Sequence, residues 1–193
     1  MMSRIEVQPL VPAGLKLIKT KRFGDSRGYF TEAYSARDFG AAGIADVFVQ
    51  DNSALSVERG TVRGLHFQSP PHVQAKLVRA VRGRLLDVAV DLRKGSPTFG
   101  QHCAVELSAE EGAQFYIPGG FAHGYCTLEP MTEVLYKVTD YYVPEHESGV
   151  LWNDPSLGIA WPDFAGAQVS ERDGRLPRLA DLISAFTFAA GGG

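Results

Sequence analysis

Leu85-Leu86-Asp87-Val88-Ala89-Val90-Asp91-Leu92 is the stretch on which the fold turns. Leu86, Val88, Val90 and Leu92 share one side of an extended segment, and Leu85, Asp87, Ala89 and Asp91 share the other. That two-residue period is the mark of a β-strand. Val134–Tyr142 repeats it: Val134, Tyr136, Val138, Asp140 and Tyr142 alternate with Leu135, Lys137, Thr139 and Tyr141. Further strands are predicted over Gly14–Thr20, Gly28–Tyr34, Val47–Ser56, Arg63–Gln68, Lys76–Val81, Gln101–Leu107 and Gln114–Ile117. The 21 glycines and 11 prolines punctuate the chain at short intervals. Short runs of Val, Leu, Phe and Tyr between such breaks predict an all-β sandwich or barrel. Helix signals are few. Ser35-Ala36-Arg37-Asp38 has the form of a capping box and predicts a short helix that Gly40 or Gly43 ends. Leu179–Phe186 is a second candidate helix.

Composition bounds the reading. A chain of 193 residues suits one domain, taken here as 1–193 with a core over roughly 15–180 and a disordered tail over 187–193. With 45% apolar and 21% charged residues it has an ordinary globular profile. A net charge of −3 argues against nucleic acid as a partner, while a polyanionic small molecule fits if a few Arg and Lys converge. Cys103 and Cys126 sit in apolar runs without metal-ligand spacing, as small buried thiols of a reducing compartment would. MMSRIEVQPL at the N-terminus has no apolar signal core, and no run has membrane-spanning length. The expectation is a cytoplasmic protein with no membrane partner.

Two stretches resemble the cupin motifs. Gly60 is followed after five residues by His66-Phe67-Gln68, and Lys76 is followed after six by Gly83. In metal-binding cupins Gln68 would be the second His and Lys76 the Glu, with a shorter gap between them. Gly112, five residues, Pro118-Gly119-Gly120, two residues and His123 match the second motif. A divalent ion needs deprotonated, electron-donating ligands, and an ammonium in the same pocket repels it. The expectation is therefore no metal, with Lys76 stabilising a developing oxyanion instead. A lone Lys would ordinarily point to solvent; its place in the frame argues otherwise.

Eight motifs carry a more specific resemblance. In order they are FGDSRGYF (Phe23–Phe30), VQDNSALS (Val49–Ser56), VRGLHFQ (Val62–Gln68), AKLVRAVRG (Ala75–Gly83), DVAVDLRKGSPTFG (Asp87–Gly100), YIPGGFAHGY (Tyr116–Tyr125), LYKVTDYY (Leu135–Tyr142) and LWNDPSLGIAWP (Leu151–Pro162). From Leu15 to Leu179 the chain resembles the dTDP-4-dehydrorhamnose 3,5-epimerases. The resemblance implies a cupin-like jelly-roll β-barrel with a few short helices, a homodimer, and neither metal nor dissociable cofactor. It implies dTDP-4-keto-6-deoxyglucose as substrate. The 4-ketone acidifies the protons on C3 and C5; a base removes each, an enolate forms, and reprotonation on the other face gives dTDP-4-keto-L-rhamnose.

The resemblance also assigns roles. His66 matches the general base, a task suited to an imidazole, and Asp173 its orienting carboxylate. Asp173 also suits a capping box with Ser170. Tyr136 matches the proton donor, which calls for a nearby positive charge. Tyr142, on the same strand face by parity, matches a ring that stacks on thymine, and Tyr141 points the other way. Both Tyr136 and Tyr142 also read as ordinary barrel aromatics. Lys76 matches a residue beside the ketone, and His123 a ligand-contacting histidine. Arg27, Glu32, Gln50, Asn52, Arg63 and Glu147 match positions that hold nucleotide and sugar. Arg172 stands where the family commonly has Lys, keeping the charge with a different geometry. Exchange of a strand such as Gly28–Tyr34 would carry Arg27 and Glu32 to the partner's pocket. Strict alternation puts Arg63 opposite His66 unless Gly64 makes a bulge. His72, His102 and His146 have no match and are expected on the surface or in loops. The competing readings are an epimerase that inverts C3 or C5 alone, a ligand-binding cupin without catalysis, and a metal-dependent cupin enzyme.

Overall fold

The computed structural model describes residues 4–163 and 166–189. Its strands are β1 (Ile5–Pro9), β2 (Lys16–Thr20), β3 (Arg22–Asp25), β4 (Gly28–Thr31), β5 (Gln50–Ser56), β6 (Thr61–Gln68), β7 (Lys76–Arg82), β8 (Arg84–Asp91), β9 (Arg93–Lys94), β10 (His102–Ser108), β11 (Ala113–Ile117), β12 (Phe121–Thr127), β13 (Thr132–Val138), β14 (Glu147–Gly149), β15 (Gln168–Val169) and β16 (Phe186–Thr187). One sheet runs β1-β2-β11-β7-β13-β5 and the other β10-β8-β12-β6-β14, with β15 added to β6. They face each other as a jelly roll without closing into a hydrogen-bonded barrel.

The faces of β8 show how the layers are filled. Leu85 and Ala89 join Val78, Phe115 and Val134 in the core between the sheets. Val88, Val90 and Leu92 point outward, yet they are buried under Leu157 and Phe186 of the C-terminal region. The first sheet is covered in the same way. Its outward Ile18 and Leu77 pack against Phe39 and Ile44. Phe39 belongs to α1 (Ala36–Ala41), where the Ser35 side chain accepts from the Asp38 N–H, as the capping box predicts. The helix ends at the second of the two expected glycines. Gly43 has φ +76°, its N–H donates to Gly40, and the Ile44 N–H donates to Phe39. This is the left-handed stop that glycine supplies at no steric cost.

Several expectations need correction. The strand expected over Val134–Tyr142 ends at Val138, so Tyr141 and Tyr142 lie beyond it and parity does not place them. Leu179–Phe186 is not a helix; it is a 3-10 turn at Leu179–Asp181 followed by β16. Its helix-like spacing serves packing instead, since Leu179, Leu182 and Phe186 all lie on the outer cluster. Thr187 pairs with Lys94 and the Phe188 N–H donates to Lys94, so the tail expected from 187 is anchored there. The rest of that tail, 190–193, lies outside the described residues. Cys126 is buried but Cys103 only half-buried, and both are free thiols. No helix among the described residues is long and apolar enough to cross a membrane.

Candidate active site

The inward faces of the two sheets turn polar at one end of the sandwich. Lys76 on β7 and Tyr136 on β13 come from the first sheet; Arg63 and His66 on β6 and His123 on β12 come from the second. Together with Tyr125, Arg172 and Asp173 they line a cavity of about 520 Å³. A second hollow of about 280 Å³ shares His66, Lys76 and Tyr136 with it and adds Gln50, Asn52, Tyr142 and Glu147. The register explains the convergence. Lys76 pairs with Val138, and Tyr136 pairs with Val78 and with Asn52 of β5. Lys76 and Tyr136 are therefore diagonal neighbours on one face.

Arg63 reaches this cavity through a bulge. His66 pairs with His123 and Arg63 with Tyr125, so Gly64 and Leu65 stand opposite Gly124 alone. The extra residue turns Arg63 to the His66 side, where it lines the same cavity. Only glycine fits at the turning point. Gly64 has φ +128°, and a Cβ there would lie 2.5 Å from Gly124 Cα and 2.8 Å from the His123 carbonyl oxygen.

His66 Nε2 lies 2.8 Å from Asp173 Oδ1. The other carboxylate oxygen accepts from the Gly64 N–H at 3.1 Å, which ties the base to the bulge. Both readings of Asp173 hold at once, because its own N–H donates to Ser170 Oγ at 3.0 Å. Burial pushes the Asp173 carboxyl up, but the His66 contacts, the Gly64 N–H and Ser170 outweigh it and hold it below the usual carboxylate range. A carboxylate only accepts, so Nε2 carries the shared proton and Nδ1 keeps the free lone pair.

Lys76 is 9% exposed, not a surface lysine. Burial lowers its ammonium to about 8, against the opposing pull of Asp87 and Glu147. The Gln68 amide is spent on backbone: Nε2 donates to His72 O at 2.8 Å and Tyr141 O at 3.1 Å, and Oε1 accepts from Val143 N at 2.7 Å. It is a strut for the 139–143 segment. Among the described residues no group of three His, Cys, Asp or Glu side chains is arranged to hold a metal ion. Tyr136 departs from expectation. Burial raises its phenol; Arg63 supplies the expected positive charge and lowers it, but the net shift is upward, with Glu147 adding to it.

At the rim, Tyr142 OH donates to Glu147 Oε2 at 2.7 Å, and the same oxygen is 2.5 Å from Arg172 Nη2. Burial raises Glu147, but Tyr142 and Arg172 together hold it low. Gln50 Nε2 donates to Asn52 Oδ1 at 2.7 Å. Two expected residues are not brought to this cavity. Arg27 pairs with Asp25 on the β3–β4 hairpin, and Glu32 pairs with Arg4. His72 and His146 are half-buried, with rings 4.8 Å apart, and His72 Nδ1 lies 3.0 Å from Asp140. His102 is a half-buried strand residue rather than a loop residue.

Sequence reasoning missed Asp87. It sits inward in mid-β8, fully buried, and its Oδ1 is hydrogen-bonded to His123 Nε2. The signal was an Asp between Leu and Val in the clearest strand of the chain. Burial lowers the His123 imidazole and Asp87 pulls the other way; the net shift is downward.

Comparison with known proteins places the chain in a family. Residues 11–181 match the family model described as dTDP-4-dehydrorhamnose 3,5-epimerase. A protein of that name from Sinorhizobium fredii is 50% identical over 182 residues, 94% of this chain and 93% of the relative. The crystal structure of the enzyme of that name from Bacillus anthracis, with TDP and PPi bound, superposes with a TM-score of 0.88 at 47% identity, over 90% of this chain and 99% of the other. A dTDP-6-deoxy-D-glucose-3,5-epimerase from Legionella pneumophila, in complex with dTDP-4-keto-L-rhamnose, gives 0.91 at 44% identity, over 96% and 100%.

Proposed function

The chain belongs to the dTDP-4-dehydrorhamnose 3,5-epimerase family, and from that premise we propose that its cavity binds dTDP-4-keto-6-deoxy-D-glucose and inverts C3 and C5 to give dTDP-4-keto-L-rhamnose, a step of dTDP-L-rhamnose biosynthesis. The observation that carries the reading is the His66–Asp173 pair opening on the same cavity as Lys76 and Tyr136. His66 takes the proton from carbon with the nitrogen that Asp173 leaves free. Asp173 keeps the ring oriented and balances the imidazolium that forms. The electrons move into the ketone oxygen, where Lys76, with His123 beside it, stabilises the developing charge.

Inversion needs an acid on the face opposite the base. His66 comes from one sheet and Tyr136 from the sheet facing it, so a planar enolate between them meets base on one side and phenol on the other. A phenol held above its ordinary range is fully protonated at neutral pH, as a donor must be. Arg63 and Arg172 are the cations for the diphosphate, and Gln50, Asn52, Tyr142 and Glu147 hold the nucleotide end. None of these steps calls for a metal or a dissociable cofactor.

The assembly we propose is a cytoplasmic homodimer. Its support is the β3–β4 hairpin, which exposes Phe23, Tyr29 and Phe30 and holds Arg27 away from this chain's cavity. In the dimer Arg27 and Glu32 would complete the partner's nucleotide site. The functional test is incubation with the keto sugar in D₂O, read by NMR. Deuterium at both C3 and C5 with an L-rhamno product is expected. Deuterium at one carbon would make the protein a single-centre epimerase, and none at either would leave only ligand binding.

A further inference from the structure

Among the described residues two buried side-chain polar atoms have no hydrogen-bond partner, the Tyr125 hydroxyl and Asp87 Oδ2. The carboxylate is the costlier to leave so, because an ionised group loses more on burial than a neutral hydroxyl does. Asp87 is not part of the cavity wall; it stands behind His123, bonded to it through Oδ1. On the wall itself is Lys76, a buried residue whose side chain lines the cavity. The Asp87 charge acts on Lys76 and His123 alike, opposing what burial does to each. An anion short of one partner and a buried cation lie within electrostatic reach of each other.

We propose that Asp87 is a positioning residue that keeps positive charge on the Lys76–His123 wall, its Oδ1 orienting the His123 ring and its Oδ2 serving as counter-charge to Lys76. Burial alone drives a lysine towards its neutral form. A neutral amine still donates a hydrogen bond but gives a developing oxyanion no charge. A carboxylate behind the wall holds the cation without meeting the substrate; one on the wall would repel the enolate. The other groups whose charge bears on this cluster are Tyr125 and Cys103 beside Asp87, His66 beside His123, and Glu147 beside Lys76. Glu147 cannot stand in for Asp87, since Arg172 and Tyr142 already occupy it.

The proposal rests on the reading of Lys76 as the group beside the ketone. Asp87→Asn keeps shape and an acceptor for His123 while removing the charge. Lys76 is a cation below about 8 and neutral above, so activity that needs the cation falls as pH rises through that value. Without Asp87 the falling limb of kcat/KM moves to lower pH. The expected shift is about one unit, with a loss of roughly tenfold at alkaline pH and little near pH ~6. An equal loss at every pH, with the limb unmoved, would overturn the proposal. A double-mutant cycle in denaturant tests the pair without reference to activity. Lys76→Met alone strands the Asp87 charge and destabilises, and adding Asp87→Asn is expected to restore part of the loss. Simple additivity would overturn the pairing, even if Asp87→Asn is too unstable for kinetics. Coupling in a protein that epimerises nothing would uphold the pair and sink the functional reading.

Discussion

Two histidine–aspartate pairs stand next to each other, because His66 and His123 are directly opposed in the β6–β12 ladder. They differ in what surrounds them. The His66 side chain is 27% exposed and Asp173 6%, whereas His123 is 6% exposed and Asp87 not at all. Asp173 has both oxygens bonded; Asp87 has one bonded and one bare. The more exposed of two cavity histidines, backed by a satisfied carboxylate, is built to take up and give back protons. A nearly buried histidine on the same wall, backed by an unsatisfied carboxylate, is built to hold a fixed charge distribution. The same two residue types thus serve two ends, separated by burial and by the number of hydrogen bonds each carboxylate receives.

The contrast breaks most readily at Asp173. Asp173→Asn replaces a pure acceptor by an amide that can turn a donor to Nε2 and trap the wrong tautomer. A loss of ~10²–10⁴ in kcat is expected, with a similar factor at every pH. Loss of activity at alkaline pH only, the behaviour assigned to Asp87→Asn, would show that the two pairs had been read the wrong way round. A smaller effect is expected at the bulge that sets the spacing between them. Gly64→Ala must place a Cβ against Gly124 and hold an unfavourable φ. It should cost on the order of 2–3 kcal/mol in denaturant melts, and the surviving folded protein should bind diphosphate less tightly as Arg63 is turned away. An unchanged melting curve would mean that the bulge is not held as described.

Much of this was legible in the sequence, for reasons that can be named. The period of two along Leu85–Leu92 survives because the two faces of β8 pack against different clusters. Lys76 in a cupin frame was readable as buried because the motif fixes its register. Gly64 was readable as a bulge because alternation failed there. Phe121–Thr127 was not read as a strand. Every residue of it is buried on both faces, so it lacks alternation, and its two polar inward positions, His123 and Tyr125, look like a motif rather than a ladder. The second pair escaped for a related reason. Asp87 and His123 are 36 residues apart, joined only by the β8–β12 pairing, which places Asp87 opposite Tyr125 and leaves His123 diagonal to it. Leu179–Phe186 misled because an arm that lays leucines on a sheet can share the spacing of a helix.

The central claim is that His66 and Tyr136 work on opposite faces of one enolate, with the His123–Asp87 pair moving no proton to carbon. Position-resolved deuterium exchange, measured together with product stereochemistry, tests it most directly. His66→Ala should abolish wash-in at both C3 and C5. Tyr136→Phe keeps the ring and its packing, so wash-in by return from the His66 face should persist while inversion at C5 fails. If Tyr136→Phe inverts C5 at the normal rate, or His66→Ala still exchanges both protons, the division of labour between the two sheets is wrong.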